Sequence, residues 1–387
     1  MMRITPGISI STSTESKEMW HEKLKEAGVS IHVIATGAGA GLQQELWSIP
    51  GSSAYLSGAS FPYAMEETEE LLGFKPNSFC SEEAAIDLAS AAYMKAYRFG
   101  GKKPVGIGIT ASVASEKIHR GDHRAFFCII TDDKVLTFHH ILTKGVGVHQ
   151  RTQDGHAVDD VGLFMLIDAL GISQHTLEAS FPLHYENGAE KAKARFLARP
   201  FFTRDGKRLD KMNPEGCALM SGAYNPPHQG HYGMADVFEK EQGSKVVFEI
   251  TANPPHKDAL SVQQLLQRAK LLQGRDRLFT WSMPFYLDKA HAYPGVPVIM
   301  GADAMVRMLD PKWGIDVSTL LEGFRKLGTH IFVNGRTIDG KFVTRDDIIT
   351  DLHDKLPYAE WLQAASLLMP LNGKWEMSST EIRNRLK

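Results

Sequence analysis

Cysteine is scarce: Cys80, Cys128 and Cys217 are the three in 387 residues, far apart and in no C-x-x-C pair. That excludes a disulfide framework and a cysteine-ligated zinc site, and makes a reducing, cytoplasmic setting the expectation. No apolar run approaches the roughly 20 residues of a membrane span. The opening residues, MMRITPGISISTSTESKEMW, lack the apolar core of a secretory signal. Charge of one sign is missing too, since 43 basic residues face 45 acidic ones, interspersed, for a formal net charge of −2. Neither a nucleic acid nor an anionic membrane is expected as a partner, and any phosphate site has to be built locally. There is no H-E-x-x-H, and the adjacent His139 and His140 fall in a predicted strand and so point to opposite faces. No motif therefore supplies a protein metal site.

What remains is ordinary globular sequence, 43% hydrophobic and 23% charged, long enough for two or three domains. In the first part, residues 16–27 read as a helix and IHVIA (31–35) as a buried strand running into TGAGAG. Residues 81–99 read as a long helix with Ser81 as N-cap. Strands are predicted at 105–110, 125–131 and 134–142, and an apolar helix at 158–170. The boundaries expected are 1–172 for a layered α/β domain, 173–214 for a connecting segment with no sustained period, and 215–387 for a second domain. That second domain opens on the strand CALMS (217–221), the loop GAYNPPHQGH, a helix at about 231–240 and the strand KVVFEI (245–250). VPVIMG (296–301), HIFVNG (330–335) and residues 367–371 are further strands, and a helix opens at SSTEIRNRLK. Alternation of strand and helix predicts a doubly wound parallel sheet, with ligands beyond the carboxyl ends of the strands.

The strand–GAYNPPHQGH–helix unit carries the strongest chemical signal. Gly222 permits a turn directly after Ser221, Pro226 and Pro227 stiffen the loop around Ala223 and Asn225, and Gly230 allows close backbone approach. His228 and His231 then stand at a helix N-terminus, where backbone N–H groups favour an anion. The segment Met377-Ser378-Ser379-Thr380-Glu381-Ile382-Arg383 has capping-box spacing between Ser378 and Glu381. Arg383 lies one turn after Ser379, with Ile382 and Leu386 on the packing side. Hydroxyls, N–H groups and a guanidinium at one helix start suit the β- and γ-phosphates of a nucleoside triphosphate. A plain capped helix and a proline-rich turn are the bland readings of the same residues.

Together the two motifs resemble the (His/Thr)-x-Gly-His and Ser-Ser-Thr-x-x-Arg signatures of the nucleotidyltransferase superfamily, over residues 217–387. Asn253-Pro254-Pro255-His256-Lys257, Arg268 on the helix after it, Gly301-Ala302-Asp303 and Trp313 resemble its nicotinate/nicotinamide-mononucleotide adenylyltransferase branch. The resemblance implies that Lys257 meets a phosphate, Asp303 the adenosine and Trp313 a pyridine ring. It implies ATP as substrate, Mg²⁺ as cofactor, and catalysis by positioning and electrostatics through His228, His231, Lys257 and Arg383. Another phosphorylated acceptor with ATP or CTP, and a nucleotide-binding regulator without turnover, are the alternatives.

Residues 15–170 resemble the CinA-type nicotinamide-nucleotide amidase domain through IATGAGAGL, IPGSS, Pro62-Tyr63, LLGF and CSEEAAIDLA. Gly37 stands where the family's Glu-Ser-Cys-Thr-Gly-Gly-Leu carries the nucleophilic serine, and Thr68 replaces the lysine of Tyr-Ser-Asn-x-x-Lys, although Tyr63 remains. Serine-type deamidation is not expected. The domain then reads as a catalytically dead nucleotide-binding or dimerising module, as a site for another reaction using Tyr63, Arg120, Asp122, His123 and Arg124, or as purely structural. Its candidate pocket is Thr36, Gly37, Gly39, Gly41 and Tyr63, and a homo-oligomer would form through this domain.

Overall fold

The computed structural model describes residues 14–118, 120–172, 184–254, 257–281, 283–313, 315–373, 375 and 379–385. Its contacts define two compact units. The first comprises residues 1–198 together with 261–270, the second residues 199–260 and 271–387.

In the first unit the order is α1 (Thr14–Ala27), β1 (Ser30–Thr36), α2 (Ala40–Trp47), β2 (Leu56–Ser60), α3 (Met65–Leu72), α4 (Glu82–Gly100) and β3 (Pro104–Ser112). Then come β4 (Arg124–Ile130), β5 (Val135–Ile141), α5 (Gly147–Ala169), β6 (Glu186–Asn187) and α6 (Ala189–Ala198). The sheet runs β2-β1-β3-β4-β5-β6, with β2, β1 and β3 parallel and β4 to β6 antiparallel. Apolar residues of α1, α2 and α5 (Trp20, Leu24, Leu42, Leu46, Leu163) bury one face with Ile31, Val33 and Ile107. On the other face α4 lies so close that a Cβ on Gly106 or Gly108 would stand 2.2 or 2.1 Å from its backbone. Ser81 caps α4 as expected, accepting from Ala84 N at 3.2 Å. Helix α5 begins at Gly147, eleven residues before the predicted 158, because its first half, GVHQRTQDGHA, is too polar to show an apolar period.

The second unit begins with β7 (Phe201–Phe202) and β8 (Arg208–Leu209), then β9 (Cys217–Ser221), α7 (Gln229–Gln242) and β10 (Lys245–Thr251). Helix α8 (Val262–Leu271) follows, and all of it but Leu271 groups with the first unit. Then come β11 (Asp276–Thr280), α9 (Tyr286–Ala292), β12 (Val298–Gly301), α10 (Ala302–Met308), α11 (Val317–Lys326), β13 (Ile331–Asn334), β14 (Arg336–Ile338) and β15 (Lys341–Val343). The last elements are α12 (Arg345–His353), α13 (Tyr358–Leu367), β16 (Leu368–Leu371) and α14 (Ser379–Arg385). The sheet order is β16-β13-β12-β9-β10-β11-β7-β8, its first six strands all parallel. Counted from β9, that parallel core has the doubly wound order in which the chain reverses direction between β9 and β12, and the crevice at that reversal is where such sheets bind ligands.

The described part of residues 173–214, read from sequence as a connection, carries β6 and α6 on the first unit and β7 and β8 on the edge of the second sheet. Residues 336–361 form the β14–β15 hairpin, α12 and the start of α13, and bury Ile348, Ile349 and Leu352 in the core shared with Met300, Phe324 and Leu367.

Candidate active site

The loop after β9 is set by hydrogen bonds at both ends of its turn. Gly222 N donates to the Glu249 carbonyl of β10 at 3.0 Å. Tyr224 adopts φ 44°, buries its ring to 1% exposure and donates its hydroxyl to the Met220 carbonyl. A Cβ at residue 222 would stand 2.8 Å from Tyr224 Cζ, so glycine there makes room for the tyrosine folded beneath the loop. Ala223 is exposed at the tip, and the Asn225–Pro226 peptide is cis.

His228 is the N-cap of α7, and its backbone N donates to His231 Nδ1 at 3.2 Å. The imidazoles stack with centroids 3.8 Å apart, and the Tyr224 ring meets His231 edge-on at 4.8 Å. Accepting at Nδ1 places the proton of neutral His231 on Nε2. Burial, reinforced by repulsion from His228 and Arg336, lowers its pKa to about 3. His231 is thus a neutral donor at physiological pH rather than a cation.

The two predicted segments meet. Ser379 Oγ donates to the Pro226 carbonyl at 2.8 Å, and Arg383 Nη1 donates to the Asn225 carbonyl. The C-terminal helix start therefore lies on the loop that carries the histidines.

On the other side of β9, Gly301 closes β12 and caps α10. Asp303 Oδ2 pairs with Arg307 at 2.7 Å, and Asp303 Oδ1 lies 3.7 Å from Arg336 Nε. Arg336, just beyond the carboxyl end of β13, also donates from Nη1 to the Trp375 carbonyl at 3.1 Å. Sequence reasoning missed Arg336. Its signal was position: a cation directly after HIFVNG, at the carboxyl end of a parallel strand. Trp375 was missed too, and it changes the reading of the glycines. A Cβ at Gly230 would stand 3.1 Å from the His228 ring and 3.2 Å from Trp375 Cβ, and one at Gly233 would stand 2.3 Å from Trp375 Cε2. Gly230 admits a tryptophan and a histidine, where sequence reasoning expected a ligand.

Below the loop lies a buried ion pair. Glu249, fully buried, is 3.5 Å from Lys289 Nζ, and accepts from the Thr251 and Thr280 hydroxyls at 3.1 and 2.5 Å. Lys289 also donates to the Met283 carbonyl at 2.9 Å.

Some predicted residues stand apart. Lys257 is exposed on the loop after β10, and among the described residues no hydrogen bond ties it to the histidines. Arg268, 5% exposed on α8, donates to the Gln264 carbonyl at 2.9 Å and belongs to the first unit. Trp313 closes a short 3₁₀ turn (Pro311–Trp313). The side chains of Trp313 and Thr380, and residues Pro255, His256 and Ser378, lie outside the described residues.

In the first unit the glycine loop turns away from the amidase pattern. Gly37 has φ +81°, and a Cβ there would stand 2.0 Å from the Ala111 carbonyl oxygen. Thr36 pairs with Thr110 of β3, and Gly39, at φ +97°, caps α2. The end of this glycine loop meets an internal carboxylate. Leu42 N donates to Asp159 Oδ1 at 3.0 Å, and a Cβ at Gly41 would stand 2.1 Å from Asp159 Oδ2. Thr68 is buried and donates to the Pro62 carbonyl at 3.1 Å, while exposed Tyr63 accepts from Arg151 Nη2 at 3.0 Å. A serine at residue 37 would carry the left-handed backbone and the clash together. Gly37→Ser is therefore expected to destabilise the first unit by about 2–4 kcal/mol and to restore no amide hydrolysis. Urea unfolding and ammonia release check it, and a stable, hydrolytic variant would refute it.

Burial also sets the pH response of this unit. Burial, aided by Lys95 for His32 and His139 for His140, lowers both histidines to about 4. Burial raises Asp159 to about 6. Each lowered histidine stabilises the fold fully above pH ~6.5 and loses that contribution as pH falls towards 4, because the unfolded chain takes up the proton first. Asp159 acts oppositely: its folded form keeps a proton that the unfolded form releases, so its contribution is lost as pH rises from about 4 to 6. The unfolded chain then holds about one proton more between pH 4 and 6, and stability should rise by about 1.4 kcal/mol per pH unit there. Hydrogen exchange of β1 and β3 amides across that range tests it; a flat or falling profile would contradict it.

A doubly wound parallel sheet with an anion-favouring helix start, two stacked imidazoles and arginines from two other segments defines a phosphate-handling nucleotide domain. Residues 219–385 match the family described as cytidylyltransferase-like, and the second unit carries a nucleotidyltransferase domain of that superfamily. No curated protein matches the chain. Among solved structures, a competence or damage-inducible protein from Enterobacter asburiae is similar at 15% identity, over 41% of this chain and 99% of its own, with a TM-score of 0.33. The competence/damage-inducible protein CihA from Agrobacterium tumefaciens is similar at 19% identity over 44% and 99%, with a TM-score of 0.32. A CinA superfamily protein from Escherichia coli is similar at 13% identity over 40% and 88%, with a TM-score of 0.31. Among the described residues no helix is long and apolar enough to cross a membrane.

Proposed function

We propose that the second unit transfers AMP from ATP to a pyridine mononucleotide, in its nicotinamide or nicotinate form, and releases pyrophosphate. The observation that carries this reading is the Ser379 and Arg383 hydrogen bonds to the loop that holds His228 and His231. Hydroxyl, guanidinium and imidazole groups there surround one helix start, the arrangement a triphosphate requires.

The acceptor's phosphate oxygen attacks the α-phosphorus of ATP, a new P–O bond forms, and the bond to the β-phosphate oxygen breaks with its electron pair leaving on pyrophosphate. A phosphate monoester is already anionic, so no protein base is needed. The chain's task is alignment and charge stabilisation. His231 Nε2–H donates to the α-phosphoryl group, and Arg336, Arg383 and Lys257 offset the charge on the departing phosphates. Among the described residues no cluster of three or more His, Cys, Asp or Glu is placed to hold a metal. Mg²⁺, held by triphosphate oxygens and water, would supply further charge neutralisation. Beside Asp303, a cavity of about 290 Å³ lined by Phe285, Tyr286, Ala304, Arg307, Met308 and Ile315 has the size and apolar walls for the acceptor's ring.

Pyrophosphate release with Mg²⁺, ATP or CTP and a panel of phosphorylated acceptors tests the reading. ATP with a pyridine mononucleotide should be the productive pair. Turnover with CTP and none with pyridine mononucleotides would replace it by the transfer of another nucleotide, and tight binding without pyrophosphate under any pairing by a regulatory role.

A further inference from the structure

Three glycines leave room for one indole. A Cβ on Gly233 would run into Cε2, Cζ2 and Nε1 of Trp375, and one on Gly373 into its Cη2 and Cζ3. A Cβ on Gly230 would stand 3.2 Å from Trp375 Cβ. Gly230 and Gly233 lie at the start of α7, on either side of His231. The indole therefore rests on the stretch of helix that carries His231. Its main chain is tied to the same place from another strand, because Arg336 Nη1 donates to the Trp375 carbonyl at 3.1 Å. Arg336 in turn stands close enough to His231 to repel a proton from it.

A tryptophan kept for packing alone is normally buried with its N–H satisfied. Trp375 is only partly buried, and among the described residues its indole N–H donates to nothing. Tyr224, the phenol ring against His231, is 1% exposed beneath the loop and has no face to offer. The cavity proposed for the acceptor's ring takes all its walls from residues between 284 and 320, none from the segment that holds Trp375. A mononucleotide acceptor and a nucleoside triphosphate each bring a ring, so the base of the triphosphate needs a seat of its own. An aromatic side chain partly open to solvent, set beside the groups that handle phosphate, is what a base stacks on.

We infer that Trp375 is the platform on which the base of the nucleoside triphosphate stacks. The inference rests on the adenylyl-transfer reading for the presence of a nucleotide at α7, and adds to it the residue that meets the base. A purine overlaps an indole with two rings and a pyrimidine with one, so the platform favours ATP over CTP and treats ATP and GTP alike.

Calorimetric binding of ATP, GTP, CTP and inorganic tripolyphosphate to the full chain with Mg²⁺ tests it. Tripolyphosphate brings the phosphates without a base. Trp375→Leu keeps an apolar side chain on the glycines and removes the aromatic face. It should weaken ATP and GTP alike by about 10- to 100-fold, the usual worth of one stacked base, weaken CTP less, and leave tripolyphosphate within about two-fold. Trp375→Phe should keep most of the ATP affinity. If melting shows that Trp375→Leu does not fold, fluorescence decides: ATP should quench a part of the wild-type emission that Trp375→Phe lacks, and tripolyphosphate should not. Equal losses of ATP and tripolyphosphate affinity would make Trp375 a prop for α7 and overturn the inference. Unchanged ATP affinity, or quenching that is absent or survives in Trp375→Phe, would overturn it as well. Failure of the transfer reading looks different: base-dependent binding that Trp375→Leu abolishes, with no pyrophosphate released from any pairing, would remove the transferase and keep the platform.

Discussion

Replacing His231 with alanine is expected to lower kcat by about a hundred- to a thousand-fold with the fold intact, the usual cost of losing one preorganised donor to developing charge. The structure gives the reason in three parts. The His228 amide hydrogen bond to Nδ1 fixes the tautomer, the Tyr224 edge fixes the ring plane, and burial holds the imidazole neutral. The substitution removes the Nε2–H donor and leaves the His228 amide to find another acceptor. Because burial places the His231 pKa at about 3, kcat/KM should show no His231 ionisation between pH 5 and 8. A rate near that of the wild type would remove His231 from the mechanism. A dependence near pH 6.5 that vanishes in the variant would show that His231 acts as a cation.

Lys289→Met should be the most destabilising of the single changes considered, by about 3–5 kcal/mol, because it strands a charge in a dry interior. Glu249 is wholly buried, and its carboxylate depends on Lys289 and two threonine hydroxyls. The backbone of the same residue holds Gly222, so the damage should reach the loop and raise KM for ATP. Pairing Lys289→Met with Glu249→Gln should recover most of the loss, since the penalty belongs to the unpaired charge rather than to the absent attraction. Chemical unfolding of both variants measures this. A loss under about 1 kcal/mol in the single variant would mean that water reaches the pair.

Local chemistry was legible in the sequence wherever one residue type had one task. Ser81 announces the start of α4 with its own hydroxyl, and CALMS between Asn213-Pro214-Glu215-Gly216 and GAYNPPHQGH has the observed limits of β9. The meeting of Ser379 and Arg383 with the 225–226 loop was an expectation drawn from two distant motifs, and the hydrogen bonds are present. What was not legible depends on tertiary contact. β11 (DRLFT) opens on two charged residues and buries Arg277 because its guanidinium donates to the Leu272 and Arg275 carbonyls at 2.7 and 3.2 Å and lies 5.2 Å over the Phe202 ring. The Asp159 carboxylate at the glycine loop comes from more than a hundred residues downstream, and no feature of TGAGAG foretells it. Arg336 follows a strand whose place in the sheet decides which loops it faces, and that order is a property of the whole domain.

The helix at 261–270 has a practical consequence. Its Lys270 ammonium, 9% exposed, lies 2.7 Å from Asp132 and 5.3 and 5.2 Å over the Tyr93 and Tyr97 rings, so the first unit is completed by a stretch that the ribosome adds only after four strands of the second. Severing the polypeptide at Ala198 would yield an N-terminal piece without its lysine plug. A gene split at that point would divide the first unit, and any circular rearrangement of this protein has to keep the two units interleaved.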